Sequence, residues 1–209
     1  MLFQAKVRLV NETDCKQIGI PLTFDNQTIL VTGASRGIGA AITKLLLASG
    51  ANVVGTYNSH AGALTEFGER YGSDRLLPLK CDLGAVGAVY SMWEKALAFR
   101  GDITGIVNNA GIMPETSISV GDLHWQQDWH DVLQVNGQAV ADISRLAILH
   151  FQKQKNTGRI VNVASRAAFR GDGPDFMHCA ASKSAVVGMT RTIARAYARE
   201  GIYAFIIAP

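Results

Sequence analysis

Short apolar runs alternate along the chain with stretches in which apolar residues recur at helical spacing. The run at residues 29–31 leads into a glycine-rich turn, and apolar residues then recur every three or four positions from Ile38 to Leu46. Continuous apolar runs of this length are typical of buried parallel strands. The pattern predicts strands at 29–31, 52–56, 76–80, 103–108, 159–164 and 203–208. It predicts helices at 38–50, 62–71, 86–100 and 176–200, and a long helical region with breaks at 123–152.

This alternation predicts the fold class. Strands interleaved with helices favour a doubly wound parallel sheet in a three-layer α/β/α, Rossmann-like domain, here spanning residues 27–209. Such a sheet binds its ligand at the carboxyl ends of the strands. Residues 1–26 form a separate N-terminal extension, in which the alternation from Phe3 to Leu9 predicts a short edge strand.

Composition narrows the class of protein. The 209 residues are 48% hydrophobic and carry a net charge of +3, with no block of like charges, which argues against a nucleic-acid or membrane-surface partner. Arg191, Arg195 and Arg199 form a basic stripe that we interpret as a solvated helix face. We expect a cytoplasmic protein, because neither an apolar span nor an export signal is present. Three cysteines without CxxC spacing predict neither a disulfide framework nor a metal site.

The glycine-rich turn at residues 32–39, TGASRGIG, is the first candidate site. It joins a strand to a helix, where backbone N–H groups and a partial positive charge favour a diphosphate. A tight connection without a ligand is the alternative. A kinase-like phosphate loop is disfavoured, because Ala40 and Ala41 replace the lysine and hydroxyl residue of that motif. The candidate cofactor-binding residues of the turn are Gly33, Ser35, Arg36, Gly37, Ile38 and Gly39.

The segment after the second strand bears on the choice of cofactor. Residues 56–60 contain no carboxylate to hold a ribose 2′-hydroxyl, and Asn58 and Ser59 are candidate contacts there. Arg36 could pair with a 2′-phosphate through its planar guanidinium. The sequence therefore favours NADP(H), with NAD(H) as the alternative.

Further motifs follow in a fixed order along the chain. Together with the glycine-rich turn they resemble the classical short-chain dehydrogenase/reductase family, in the branch of the 3-oxoacyl carrier-protein reductases, over residues 26–209. The resemblance implies that Asp82 and Leu83 lie against the adenine and that Asn108 ties neighbouring strands. The motifs are Cys81-Asp82-Leu83, Asn108-Asn109-Ala110-Gly111, Asn136, Ser165 and Ala181-Ser182-Lys183, and Asn109, Ala110 and Gly111 would line the cofactor cleft.

The resemblance also implies a catalytic group. Ser165 would hold the substrate oxygen, Lys183 would bind the cofactor ribose and lower the pKa of a neighbouring acid, and Asn136 would support a proton relay. Hydride addition to a carbonyl builds an alkoxide, which needs a positioned proton donor. The implied function is NADP(H)-dependent carbonyl reduction or secondary alcohol oxidation on a small molecule.

The chain departs from the family at two places. Cys179 stands where the family has its acid–base tyrosine, four residues before Lys183, and its shorter side chain predicts weak or no turnover. His178 is the alternative donor. The chain also ends at Pro209, after about six strands, where the family normally continues, so we expect a C-terminally truncated domain with one exposed sheet edge. The rival hypothesis is a non-catalytic nucleotide-binding or assembly protein, and a homo-oligomer is compatible with either.

Overall fold

A computed structural model describes residues 23–209, so the strand predicted between Phe3 and Leu9 lies outside the described residues. A six-stranded parallel sheet has the order β3-β2-β1-β4-β5-β6, which confirms the predicted doubly wound architecture. The sheet is parallel throughout because a helical crossover separates each strand from the next. The strands are β1 (Thr28–Val31), β2 (Asn52–Tyr57), β3 (Leu76–Lys80), β4 (Gly105–Asn108), β5 (Gly158–Val163) and β6 (Ile202–Ile207).

Helices lie on both faces of the sheet, as the three-layer prediction requires. On one face Leu47, Leu64 and Phe67 join the strands in a buried cluster. On the other face Trp93 and Phe151 belong to a second cluster. The helices are α1 (Gly37–Ala48), α2 (Ala63–Tyr71), α3 (Ala88–Arg100), α4 (Asp122–Leu133), α5 (Ala139–Gln154), α6 (Ala167–Arg170) and α7 (Met177–Tyr197).

Most predicted bounds lie within three residues of the structure, and two of the differences have a physical cause. Strand β4 begins at Gly105 rather than at Ile103, because the Ile103 N–H donates to Nε2 of His150 at 3.3 Å instead of joining the ladder. The long helical region predicted at 123–152 is divided between α4 and α5 by a π-helical segment, Gln134–Gln138. The predicted break in that region therefore exists and has a defined geometry.

The chain order creates a crevice beside β1. Strand β1 pairs with β2 on one side and with β4 on the other, so the connections after β1 and β4 leave in opposite directions. Ligands of doubly wound sheets bind at this point of strand reversal. Here it brings the glycine-rich turn next to the segment after β4.

Strand β6 lies at one edge of the sheet. Within the described residues it pairs with β5 alone, and Tyr203, Phe205 and Ile207 on one of its faces are exposed. This is the exposed sheet edge that the sequence predicts. No helix among residues 23–209 combines the length and apolar character needed to cross a membrane.

Candidate functional site

The glycine-rich turn has a backbone that requires glycine. Gly33 and Gly37 adopt φ of +64° and +55°, a region that side chains with a Cβ disfavour. A Cβ on Gly39 would overlap the carbonyl oxygen of Gly33. The turn therefore folds back on the first residues of α1 without intervening side chains. The N–H groups of this first helical turn lack partners within the helix and are free to bind an anion.

Thr32 and Asn109 fasten the turn to the segment after β4. Oγ1 of Thr32 accepts hydrogen bonds from the N–H groups of Asn109 and Ala110, both at 3.0 Å. The side-chain amide of Asn109 donates to the carbonyl oxygens of Thr32 at 3.0 Å and Gly33 at 3.1 Å. These bonds form a rigid junction at the strand reversal.

A cleft of about 620 Å³ opens above this junction. It brings together most of the residues predicted to bind a cofactor. Gly39 is buried behind the turn, and Asn108 and Lys183 also lie outside the lining. The lining consists of Gly33, Ser35, Arg36, Gly37, Ile38, Thr56, Tyr57, Asn58, Ser59, His60, Cys81, Asp82, Leu83, Asn109, Ala110, Gly111, Ile112 and Val135.

Asn108 is buried beneath the cleft and connects strands, as the resemblance implies. Its side-chain amide donates to Oδ1 of Asn162 on β5 at 2.8 Å and to Oγ of Ser144 on α5 at 3.3 Å. Asn162 in turn donates to Oγ1 of Thr190 at 2.8 Å. These polar bonds link two strands and two helices inside the core, so Asn108 supports the cleft without lining it.

Asn136 lies in the π-helical segment and is only 1% exposed. Its Oδ1 accepts a hydrogen bond from the N–H of Ile112, and its Nδ2 donates to the carbonyl oxygen of the same residue, both at 2.9 Å. Nδ2 also lies 3.3 Å from Oγ of Ser182. π-Helical turns occur frequently at functional sites. Asn136 thus connects the cleft-lining segment at Ile112 to α7.

Lys183 on α7 borders the end of the cleft. Its Nζ donates to the carbonyl oxygen of Val163, the last residue of β5, at 2.9 Å. A Cβ placed on the cleft-lining Gly111 would stand 3.5 Å from Nζ and 3.1 Å from Oδ1 of Asn136. Burial lowers the pKa of Lys183, although the nearby Cys179 acts in the opposite direction. The ammonium and the Asn136 amide therefore meet beside Gly111.

Ser165 follows β5 at the carboxyl edge of the sheet. It is half-buried, and its Oγ accepts a hydrogen bond from the N–H of Ala167 at 3.1 Å. Because that bond uses an oxygen lone pair, the hydroxyl proton can still be donated. Ser165 is two residues beyond Val163, whose carbonyl binds Lys183, so both side chains serve the same end of the sheet.

Cys179 lies one helical turn before Lys183 and is 5% exposed. Its Sγ is 3.8 Å from the carbonyl oxygen of Ile112. Burial and the charge of Asp172 raise the pKa of Cys179 to about 11, against a lowering influence of Lys183. The thiol is therefore protonated at neutral pH and directed at the protein backbone.

His178 does not serve the cleft. It is 1% exposed, and its Nε2 is 3.0 Å from Oγ1 of Thr116. Its ring also contacts Trp129, with centroids 5.9 Å apart, and Thr116 donates onward to Oδ2 of Asp128 at 2.5 Å. The imidazole thus fills a polar, buried position between α4 and α7, and the alternative of His178 as proton donor has no geometric support.

Six residues of the lining were not among those predicted to bind a cofactor: Thr56, Tyr57, His60, Cys81, Ile112 and Val135. The first four adjoin predicted contacts, whereas Ile112 and Val135 are apolar and would ordinarily be assigned to the core. The signal that could have found them is proximity along the chain, since Ile112 follows Gly111 and Val135 precedes Asn136.

A doubly wound sheet with a glycine-rich turn at its strand reversal defines the class of α/β proteins that bind nucleotides at the carboxyl edge. Within that class, the chain belongs to the short chain dehydrogenase family, whose model matches residues 27–209. Membership in its branch related to 3-oxoacyl carrier-protein reductases confirms the resemblance seen in the sequence. This places it in a family of NAD(P)-dependent oxidoreductases that act on CH–OH or carbonyl groups.

The similarity to known proteins extends over most of the chain. It is 32% identical over 190 residues to the 3-oxoacyl-acyl-carrier-protein reductase FabG of Escherichia coli (strain K12), covering 90% of this chain and 74% of that protein. It is 32% identical over 192 residues to the 2-dehydro-3-deoxy-D-gluconate 5-dehydrogenase of the same strain, covering 90% and 72%. The crystal structure of 3-ketoacyl-(acyl-carrier-protein) reductase from Brucella melitensis complexed with NADH matches with a TM-score of 0.79 and 28% identity, over 88% and 76%.

Proposed function

We propose that this protein uses NADP(H) to interconvert a small-molecule ketone and a secondary alcohol. The observation that carries the proposal is the single cleft that runs from the first turn of α1 to Gly111, beside which Lys183 and Asn136 meet. A bound reduced nicotinamide supplies the hydride. The protein's own residues bind that cofactor, orient the substrate and provide a proton.

The cleft suits a dinucleotide in shape and chemistry. A side chain on Gly39 would close the turn, so the glycine keeps the approach to the N–H groups of α1 open for a diphosphate. Asp82 and Leu83 would lie against the adenine, and Asn109, Ala110 and Gly111 would line the remainder. Lys183 would hold the nicotinamide ribose.

Charge in the cleft supports the phosphorylated cofactor. Arg36, Asn58 and Ser59 all line it, and residues 57–60 of the lining include no carboxylate that would repel a 2′-phosphate. Asp82 is the acidic residue of the lining, and it lies after β3. NAD(H) is the second candidate, since the Brucella melitensis reductase binds NADH in its crystal structure.

At the reacting end we assign Ser165 to hold the substrate oxygen and Asn136 to fix the segment at Ile112. Cys179 occupies the position of the family's acid–base tyrosine. Because its thiol is buried, we expect turnover to be slow. The substrate would be a small carbonyl compound or alcohol. A homo-oligomer and the cytoplasmic location expected from the sequence stay predictions.

Titration with NADPH and NADH tests the cofactor proposal. Both thermal midpoint and nucleotide fluorescence should change, since a ligand at 100 times its Kd stabilises the fold by about 2.7 kcal/mol. NADPH should bind more tightly, and Arg36→Ala should remove most of that preference. Equal affinities in the unaltered protein would contradict the assignment of Arg36.

A matched pair of glycine variants locates the binding site. Gly39→Ala should abolish NADPH binding, because the new methyl group overlaps the Gly33 carbonyl. Gly188→Ala on α7 is the control, since among residues 23–209 no atom outside its own helical turns lies within 4 Å of its Cβ position. Full binding by Gly39→Ala would place the nucleotide elsewhere.

A non-catalytic nucleotide-binding or assembly protein is the second candidate function. The buried Cys179 thiol favours it, because such a group reaches a bound carbonyl poorly. Oxidation of NADPH in the presence of a panel of ketones distinguishes the two. Tight NADPH binding without consumption across that panel would support the second candidate.

A further inference from the structure

Four side chains near the reacting end of the cleft carry a transferable proton. These are the hydroxyl of Ser165, the imidazole of His178, the thiol of Cys179 and the ammonium of Lys183. A proton donor must come within about 3 Å of the substrate oxygen, or reach it through one water molecule. The contacts and burial of the four side chains show which of them can reach the substrate oxygen.

His178 and Cys179 are held away from the cleft. His178 is buried and bound to Thr116, on the side of α7 that faces α4. Cys179 is buried, and its Sγ is 3.8 Å from the Ile112 carbonyl oxygen. Its side chain is too short to extend from there to the substrate. Ser165 has a hydroxyl that binds an oxygen well but is too weak an acid to give up its proton at neutral pH.

Lys183 combines reach with free donors. Its ammonium carries three N–H groups on a flexible four-carbon stem, and the Val163 carbonyl takes one of them. Nζ also lies against Gly111, which lines the cleft, so the remaining donors can serve ligands there. With a cysteine in place of a bulky residue at position 179, no long side chain of that helical turn stands between the ammonium and the substrate.

We propose that Lys183 is the proton donor of this protein, delivering a proton from Nζ to the substrate oxygen directly or through one water molecule. The proposal rests on the reductase function proposed above. It assigns to the lysine the step that a neighbouring acid performs in the implied family arrangement.

The step balances without another reactant. The carbonyl carbon accepts the hydride that the reduced nicotinamide supplies, and the C=O π electron pair moves onto oxygen. As the new O–H bond forms, one N–H bond of Lys183 breaks and leaves its electron pair on Nζ. The neutral amine then takes a proton from water. Burial supports this role, since a lowered pKa makes the Lys183 ammonium a stronger acid.

Chemical rescue tests the proposal. Lys183→Ala should reduce kcat for ketone reduction by about 100-fold or more. Ethylammonium should restore part of the lost rate, and a series of primary amines should give rates that depend on amine pKa. Tetramethylammonium is the matched control, because it carries the same charge without a proton. Equal rescue by tetramethylammonium would overturn the proposal and leave Lys183 an electrostatic role.

Two further variants test whether the loss of kcat in Lys183→Ala comes from altered packing instead of the missing proton donor. Lys183→Met keeps the apolar stem and should lose kcat as Lys183→Ala does. Lys183→Arg keeps the charge but holds its proton at neutral pH, so its kcat should also fall. For all three, NADPH affinity measured by fluorescence should fall by a smaller factor than kcat, since the ribose contact assigned to Lys183 is one of several that would hold the cofactor. Loss of NADPH affinity equal to the loss of kcat would overturn a proton-donor role in favour of cofactor binding.

The dependence of kcat on pH is an independent test of the proposal. Reduction needs the ammonium protonated, so kcat should fall as pH rises through the lowered pKa of Lys183. In Lys183→Ala with an added amine, the midpoint should move to that of the amine. A midpoint that stays fixed, or turnover that survives Lys183→Ala and disappears in Cys179→Ala, would overturn the proposal while leaving the reductase function intact. NADPH binding without turnover in the unaltered protein would overturn both.

Discussion

At the residue scale, the side chain at position 179 has the largest effect on proton transfer to the substrate. A thiol with a pKa of about 11 is nearly always protonated at neutral pH, and here it contacts the Ile112 carbonyl oxygen. A phenol at this position would project further along the face of α7 that carries Lys183, because residues four apart share a helix face. The difference between the two side chains is one of length more than of acidity.

We therefore expect Cys179→Tyr to raise kcat for ketone reduction by about 10²-fold to 10⁴-fold, the range for a positioned acid–base group. Steady-state oxidation of NADPH measures it. Cys179→Phe is the matched control, since it adds the same ring without the hydroxyl and should give no increase. An increase of the same size in Cys179→Phe would show that packing, rather than proton transfer, limits the rate.

The protonated thiol also predicts slow alkylation. The thiolate is the reactive form, and raising the pKa of the thiol from its ordinary 9.0 to about 11 lowers the thiolate population about 100-fold below pH 9. Iodoacetamide should therefore modify Cys179 at least that much more slowly in the folded protein than in urea, and the rate should rise until about pH 11. Mass spectrometry of the labelled peptide measures it. Equal rates in both states would contradict the burial of Cys179.

At the element scale, the π-helical segment determines how α4 and α5 approach the cleft. An extra residue in this turn separates the two helices and leaves Asn136 pointing at the backbone of Ile112. Both polar backbone groups of Ile112 bind that one side chain. The Asn136 amide therefore holds the backbone at Ile112, while Thr32 and Asn109 hold the earlier part of the segment after β4.

Asn136→Ala should lower the free energy of unfolding by about 2 to 4 kcal/mol, because two backbone groups of Ile112 lose their partner. Urea denaturation measures the change. Gln138→Ala in the same segment is the control, since that side chain is exposed and, within residues 23–209, bonds to Asp142 alone. It should change stability by less than about 0.5 kcal/mol. Similar losses in both variants would point to helix propensity instead of the Ile112 bonds.

At the scale of the whole molecule, β6 leaves one edge of the sheet open. Within residues 23–209 its partner is β5, and its exposed face carries three large apolar side chains. Open edges with apolar faces favour association with another chain.

We expect the purified protein to self-associate through this edge, and Phe205→Lys to weaken the association at least about tenfold, because a charge at an edge opposes pairing. Phe205 is 51% exposed, so the fold should tolerate the change. Sedimentation velocity over a concentration series measures it. Tyr90→Lys, at an exposed apolar position on α3, is the control. Weaker association in Tyr90→Lys alone would place the contact on another surface.

Much of the fold and site could be predicted because the signals are local. Strand length, apolar character and glycine spacing are properties of neighbouring residues, and they predicted all six strands and the turn at residues 32–39. The start of β4 was wrong because a side chain 47 residues away, His150, binds the N–H of Ile103. Ile112 and Val135 were missed for a similar reason, since their exposure to the cleft depends on packing.

The sequence by itself determined the layer order, the glycine backbone of the turn and the identity of the residue at position 179, since each follows from residue type and spacing. Only the tertiary structure decided which proton-bearing groups face the cleft. His178 and Cys179 are adjacent to each other and close to Lys183 along α7, yet the first packs against α4, the second points at Ile112, and the lysine ammonium reaches Gly111. The direction of a side chain is set by the elements packed around its helix, and those elements come from distant parts of the chain.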